Sequence, residues 1–184
     1  GATLKVIPLD DQGELDLEAY RNLLTDKTKI VALIHVSNVL GTINPIRSMI
    51  SIAHEHGIPV VVDGAQAPTH VAIDVQALDC EFYTFSGHKS YGPTGIGILY
   101  GKQEWLEKLP PYQCGGDMIK SVSFEHTEYN VLPYKFEAGT PNVAGVIGLS
   151  EALQFIEGLS IDAIQQHEQA LLQYATERLQ NIPG

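Results

Sequence analysis

The segment IPVVVDGAQ, residues 58–66, is the most informative part of the sequence about the fold. Its first five residues are apolar with no alternating polar position, which is typical of a strand that is buried on both faces of a sheet. The run then ends abruptly at Asp63, and Gln66 follows shortly after it. We therefore predict a buried strand over residues 58–62 whose carboxyl end carries polar side chains.

Three more runs of strand length lie on either side of this segment, at residues 29–36, 81–85 and 95–100. One segment with a helical spacing of apolar residues precedes the run at 29–36, and another separates this run from the strand at 58–62. Asp16 caps one such segment and Pro45 opens another. Buried strands linked by helices predict an α/β fold with a mixed, mainly parallel sheet and helices on both faces.

The ends of the chain and its middle are less regular. A short strand is expected at residues 5–9, before the first helix. Residues 101–137 are rich in Gly, Pro and aromatic residues and follow no clear period, and a long irregular stretch of this kind is often functional. Two helices are expected at the end, over residues 143–157 and 161–180.

The composition excludes several classes of partner. The chain of 184 residues has 11 Lys and Arg against 22 Asp and Glu, a net charge of −11, and no basic stripe. Binding to nucleic acid or to an anionic membrane is therefore not expected. The two cysteines do not form a C-x-x-C motif, which favours a reducing cytoplasm, and no residue spacing suggests a metal site. Because the chain starts without Met, we expect a segment of a longer protein.

Polar side chains follow two of the predicted strands at the point where each strand ends. Asp63 ends the strand at 58–62, and Ser86, His88 and Lys89 follow the strand at 81–85. In open α/β sheets, ligands bind beyond the carboxyl ends of the strands. Asp63 and Lys89 could also form a simple ion pair there, and this structural interpretation stays open beside a catalytic one.

The surrounding residues favour the catalytic interpretation. A lone carboxylate at the end of a buried strand is costly unless it has a task or a partner. Ser86 and His88 flank Lys89 and offer hydrogen-bond donors, and Gln66 can reach into the same crevice. An amine, an acid and a set of donors are what a phosphorylated pyridine aldehyde requires for its aldehyde carbon, ring nitrogen and phosphate.

Four blocks of sequence resemble a known family. The blocks VVDGAQ (61–66), SGHKSYGPTGIGILYG (86–101) and FEAGTPNVAGVIGL (136–149) resemble class V aminotransferases. The block HVSNVLGT (35–42) narrows the resemblance to the SufS/CsdA-type cysteine desulfurases, which are close to the selenocysteine lyases. The blocks occur in order and with compatible spacing over nearly the whole chain.

The resemblance implies a role for each matching residue. Lys89 matches the catalytic lysine that holds pyridoxal 5′-phosphate as a Schiff base and then moves the proton of the substrate Cα, and Asp63 matches the acid that pairs with the pyridine nitrogen. The other cofactor-binding matches are Gln66 for the phenolic oxygen of the ring, Ser86 and His88 for the phosphate, Asn38 near the substrate carboxylate and the cofactor, and Thr140 for the phosphate of the cofactor in the partner subunit.

The resemblance also implies a fold and an activity. Residues 1–184 would be part of one large domain of a fold-type I pyridoxal-phosphate-dependent transferase, without its N-terminal segment and its C-terminal small domain. The expected reaction converts L-cysteine to L-alanine, or acts on L-selenocysteine, in a cytoplasmic homodimer. The sulfur leaves as a persulfide for an acceptor protein, as in iron–sulfur cluster assembly. Another class V enzyme, such as an aminotransferase or epimerase, and an inactive folded fragment that serves only assembly are the alternatives.

Several other polar residues are expected to be structural. His35, at the end of an apolar run, is interpreted as a structural histidine, and His54 as a solvated or helix-capping one. Cys80 precedes a buried strand and is expected in the core. Cys114 lies in a loop that resembles one at the active-site entrance of the family, but the sulfur-accepting cysteine of the family lies C-terminal to this chain.

Overall fold

The computed structural model describes residues 1–183. The helices are α1 Leu17–Leu23, α2 Ile46–Glu55, α3 Val75–Leu78, α4 Gln103–Lys108, α5 Val143–Leu159 and α6 Ile161–Gln180. The strands are β1 Val31–Ile34, β2 Val60–Asp63, β3 Phe82–Ser86, β4 Gly97–Gly101, β5 Ile119–Val122 and β6 Thr127–Tyr129. Single 3₁₀ turns lie at Gly87–Lys89 and Tyr134–Phe136.

The main sheet has four strands in the order β1-β2-β3-β4. β1, β2 and β3 are parallel, and β4 is antiparallel to β3. The mixed, mainly parallel α/β sheet predicted from the sequence is therefore confirmed. Because Ile34 pairs with Asp63 and Asp63 pairs with Thr84, the carboxyl ends of the three parallel strands meet at one edge.

Helices were predicted on both faces of the sheet, but within residues 1–183 one face is buried and the other is open. Val31, Leu33, Val60 and Val62 alternate along β1 and β2 and are all buried, and they belong to one hydrophobic core with α2. α2 contributes Ile46, Met49, Ile50 and Ala53 to that core. The alternate positions Ala32, Ile34 and Asp63 are exposed, so the open face presents both an apolar surface and the candidate acid.

The predicted helices and strands agree closely with those in the structure where their side chains belong to the hydrophobic core. The Asp16 carboxylate accepts a hydrogen bond from the Ala19 N–H and caps α1, and α2 begins directly after Pro45. Gly57 has a φ of +67° just beyond α2, as expected for the residue that ends a helix. The two long C-terminal helices are also confirmed.

Two expectations about regular structure are wrong. Residues 5–9 form no strand, because apart from an isolated bridge between Leu9 and Leu15 they have no partner strand within the described chain. The stretch 101–137 is more regular than predicted, since it contains α4 and a hairpin of β5 and β6. Short antiparallel strands with mostly exposed side chains lack the apolar run on which the prediction relied.

A cluster of charged side chains lies at the opposite end of the sheet, where the parallel strands begin. Glu81 is 5% exposed, and its carboxylate accepts hydrogen bonds from the Val60 N–H at 2.7 Å, from Lys102 Nζ at 2.8 Å and from His54 Nε2 at 3.1 Å. Lys102 Nζ also pairs with Asp79 at 2.7 Å. The interpretation of His54 as solvated or capping is therefore wrong, because its ring binds a buried carboxylate. The cluster joins α2, β2, β3 and the end of β4.

Two smaller observations complete the fold. Cys80 is fully buried, as predicted, and burial raises the pKa of its thiol to about 11. No helix within residues 1–183 is by itself long and apolar enough to cross a membrane, and α5 and α6 reach that length and composition only as a pair bent by 72°.

Candidate functional site

The carboxyl edge of the parallel strands places Asp63 beside the end of β3. The strand register sets Asp63 opposite Thr84, two residues before Ser86. The Asp63 side chain is exposed on the open face, and its Oδ1 accepts a hydrogen bond from the Ala65 N–H at 2.9 Å. The acid is therefore accessible to a ligand above the sheet.

A depression of about 560 Å³ lies on the open face at this edge. Asp63, Ala65, Thr84 and Ser86 line it, together with apolar residues of β1 and β2. A volume of this size is in the range of small-molecule sites. The structure thus brings Asp63 and Ser86, two of the residues singled out in the sequence, into one concave site.

A second depression of about 510 Å³ adjoins the first. Ser86 lines both, and His88 and the start of β4 line the second. His88 is exposed, so its ring is available to an anion at this position. Ser86 and His88 therefore lie together as potential donors, on the β3 side of the candidate acid.

Lys89 lies at the end of the 3₁₀ turn that follows β3. The Gly87 carbonyl accepts hydrogen bonds from the Ser90 and Gly92 N–H groups, each at 2.9 Å, which fixes the turn. The Lys89 side chain is exposed, and within residues 1–183 it forms no ion pair with Asp63. The simple ion-pair interpretation of these two residues is thus not supported.

Asn38 and Gln66 lie on the loops that leave the same edge. Asn38 is exposed in the loop after β1, where Ser37 Oγ accepts hydrogen bonds from the Val39 and Leu40 N–H groups. Gln66 is half-buried in the turn after β2. Neither side chain lines the two depressions, so the structure places both on adjoining loops and does not bring them into the concave site.

Thr140 lies apart from the other candidates, in the exposed loop that leads into α5. The neighbouring Asn142 caps α5 through the Gly145 N–H, and its amide donates to the Gly95 carbonyl at 3.2 Å. This bond ties the loop of Thr140 to the turn before β4. Thr140 does not line either depression.

The sequence interpretation missed a buried contact directly beneath Asp63. The ring of Tyr83, 2% exposed, packs so closely on Gly64 that a Cβ at that position would overlap it. The Tyr83 hydroxyl lies 2.8 Å from His35 Nδ1. The signal for this contact was a tyrosine in a buried strand, since a buried hydroxyl requires a partner.

Replacing Gly64 with alanine is expected to destabilise the protein by about 1–3 kcal/mol, the usual range for an overpacked core. The added methyl group must displace either the Tyr83 ring or the backbone next to Asp63. Chemical denaturation measures the effect. Gly158→Ala is the control, because this exposed glycine of α5 has open space around it and should be neutral or stabilising. Equal stability of both variants would contradict close packing at Gly64.

The donor set at this edge fits pyridoxal 5′-phosphate. Lys89 offers an amine without an ion-pair partner in the described chain, Asp63 an exposed carboxylate, and Ser86 and His88 a hydroxyl and an imidazole. These groups match the aldehyde, the ring nitrogen and the phosphate of that cofactor in chemical type. Within residues 1–183, no group of His, Cys, Asp and Glu is arranged to hold a metal ion.

Comparisons with known proteins give a consistent result. The family model described as aminotransferase class-V matches residues 1–184. A cysteine desulfurase of Escherichia coli O8 (strain IAI1) is 54% identical over all 184 residues, which cover 45% of that protein. The chain therefore spans less than half the length of such relatives.

Solved structures of the same kind have the same fold. A crystal structure of the cysteine desulfurase CsdA from Escherichia coli matches 97% of this chain and 45% of that one, with 46% identity and a TM-score of 0.93. The apo structure of a cysteine desulfurase from Thermococcus onnurineus NA1 matches 96% of this chain and 44% of that one, with 39% identity and a TM-score of 0.90.

Proposed function

The chain belongs to the aminotransferase class-V family, and on that basis we propose that it is part of a pyridoxal-phosphate-dependent cysteine desulfurase. The proposed reaction converts L-cysteine to L-alanine and transfers the sulfur as a persulfide to a cysteine outside this chain. The observation that carries the proposal is the edge of the sheet where Asp63 and Ser86 line one depression and Lys89 follows on the next turn. L-Selenocysteine is a substrate of the same chemical class.

When bound, pyridoxal phosphate supplies an aldehyde that attaches amines covalently and a protonated ring that accepts electrons from the substrate Cα. Lys89 would provide the amine for that attachment, and its Nζ would hold and move the proton of the substrate Cα. The Asp63 carboxylate keeps the ring nitrogen protonated, because a nearby negative charge favours the cationic form. Ser86 and His88 hold the phosphate.

The remaining residues have supporting roles in the proposal. Gln66 binds the phenolic oxygen of the ring, and Asn38 orients the substrate carboxylate and the cofactor from its exposed loop. Thr140 lies outside the depressions, which suits a residue that completes the phosphate site of a second subunit. We therefore propose a homodimer in which residues 1–184 are part of one large cofactor-binding domain. The proposed location is the cytoplasm, with delivery of sulfur to an acceptor protein, as for iron–sulfur cluster assembly.

Reductive labelling tests the proposal directly. Full-length protein is incubated with pyridoxal phosphate, reduced with borohydride and digested, and the modified peptide is identified by mass spectrometry. We expect the label on Lys89, because this lysine is exposed beside the candidate phosphate donors. The exposed Lys27, in the turn before β1, is the internal control and should stay unmodified. Folded protein without label on Lys89 would refute the proposed cofactor site.

A further inference from the structure

His35 and Tyr83 form a buried pair beneath the candidate site. His35 is 7% exposed and Tyr83 is 2% exposed. His35 Nδ1 and the Tyr83 hydroxyl share a hydrogen bond of 2.8 Å, and the two rings meet edge to face with centroids 6.0 Å apart. The pair joins the end of β1 to the middle of β3, across β2.

Both partners also fix the backbone at the end of β2. The His35 N–H donates to the Asp63 carbonyl at 2.9 Å. The Tyr83 ring packs directly on Gly64, and the Gly64 N–H donates to the Thr84 carbonyl at 2.8 Å. The main chain of residues 63–64 is therefore fixed by a hydrogen bond from the end of β1, by a hydrogen bond to β3 and by the packed ring of Tyr83.

The Asp63 side chain depends on this backbone for its position. Within residues 1–183, its carboxylate receives one hydrogen bond, from the Ala65 N–H two residues on. No side chain in the described chain donates a hydrogen bond to this carboxylate, and the carboxylate is exposed to solvent. A displacement of the backbone at residues 63–64 would move the carboxylate by a similar amount.

The pair places no charge beneath the acid. Burial lowers the pKa of His35 and raises that of Tyr83 well above its ordinary value, so both are neutral near neutral pH. Two neutral rings in a fixed mutual orientation form a rigid support.

We propose that His35 and Tyr83 are positioning residues that hold the Asp63 carboxylate where the ring nitrogen of the cofactor binds. The inference rests on the proposed function, which assigns the ring nitrogen to Asp63. The inference adds two residues that do not line the site themselves. It also explains why position 64 is a glycine, since a Cβ there would overlap the Tyr83 ring.

Tyr83→Phe tests the inference, with Tyr20→Phe as the matched control. Tyr20 is 1% exposed and its hydroxyl donates to the Met49 carbonyl at 2.9 Å, so each variant loses one buried hydroxyl and one hydrogen bond. In the holoenzyme, Tyr83→Phe should weaken pyridoxal-phosphate binding and lower kcat by about tenfold each, with KM changed less than about twofold, since misplacing a catalytic group by about 1 Å can cost up to about 100-fold. Tyr20→Phe should change none of these values by more than about twofold.

Amide hydrogen exchange provides a readout that needs neither cofactor nor activity. Gly64 should exchange faster in Tyr83→Phe by roughly tenfold, because the ring at position 83 is no longer fixed against Gly64 by the hydrogen bond to His35, and should be unchanged in Tyr20→Phe. At His35, asparagine retains a polar atom near the position of Nδ1 and leucine does not. His35→Asn should therefore restore most of the cofactor affinity that His35→Leu loses.

The possible results separate this inference from the proposed function. Suppose that wild-type protein is labelled on Lys89, but Tyr83→Phe and Tyr20→Phe have the same cofactor affinity, kcat and Gly64 exchange rate. His35 and Tyr83 are then merely part of the core, and the inference is overturned. The same holds if His35→Asn and His35→Leu bind the cofactor equally well. If wild-type protein is not labelled on Lys89, both the proposed function and the inference fail.

Discussion

Replacing Lys89 with alanine should abolish the release of sulfur from L-cysteine by the full-length protein, lowering kcat by at least about 100-fold. General acid–base catalysis alone contributes about 10²–10⁴-fold, and in the proposed function Lys89 also provides the covalent attachment of the cofactor. The protein should remain folded, because Lys89 is exposed and its turn is fixed by backbone hydrogen bonds to Gly87. Sulfide release, assayed with an added thiol that reduces the persulfide, measures the loss of turnover, and the absorbance of bound cofactor measures the loss of attachment.

Lys27→Ala is the control for this variant. Lys27 is also exposed, but it lies in the turn before β1, at the opposite edge of the sheet from the candidate site. Its replacement should leave sulfide release unchanged. Lys89→Ala protein that releases sulfide at the wild-type rate would refute the proposed mechanism, whatever the cofactor content.

The strands of the main sheet could be predicted because each coincides with a short apolar run in the sequence. The segment IPVVVDGAQ has no polar residue until Asp63, and the structure ends β2 at that residue. The sheet is mixed, as predicted, because β4 runs antiparallel to β3. The β5–β6 hairpin could not be found in this way, because a strand with mostly exposed side chains carries no apolar run.

The sequence could predict only those site residues whose positions are set by the end of a single strand. Asp63 and Ser86 are the last residues of β2 and β3, and Lys89 ends the turn after β3, so parallel strands bring their positions to the same edge. The contact of Tyr83 with Gly64 and His35 joins three strands, and no local pattern records which side chains meet across a sheet. The charged cluster around Glu81 was missed for the same reason.

The two ends of the sheet differ in the way their polar groups are satisfied. At the carboxyl edge, Asp63 and Lys89 are exposed and have few partners in the described chain, as expected of groups that are available to a ligand. At the other edge, Glu81 is buried and has three hydrogen-bond donors. We infer that the second edge contributes to stability and the first to chemistry.

Glu81→Leu should therefore destabilise the protein by about 3 kcal/mol without affecting the labelling of Lys89. Removing one partner of a buried ion pair costs about 3–5 kcal/mol, and the lower value applies because Lys102 keeps its contact with Asp79. Glu81→Gln should cost less, since its amide oxygen can still accept from the Val60 N–H. Asp79→Asn is the exposed control and should cost no more than about 1 kcal/mol.

The loss in Glu81→Leu should depend on pH in a defined direction. Burial alone would raise the pKa of Glu81, but hydrogen bonds from Lys102, the Val60 N–H and His54 outweigh it, and the pKa lies below its usual value of 4.5. A carboxylate with a lowered pKa stabilises the folded state fully above its unfolded pKa and loses that contribution as the pH falls through its folded pKa. Urea denaturation should thus show the full difference between wild type and Glu81→Leu above about pH 5 and a difference that shrinks below about pH 4.5. A difference that grows as the pH falls below about pH 5 would mean that the pKa of Glu81 is raised in the folded protein, and it would contradict stabilisation of the carboxylate by the cluster.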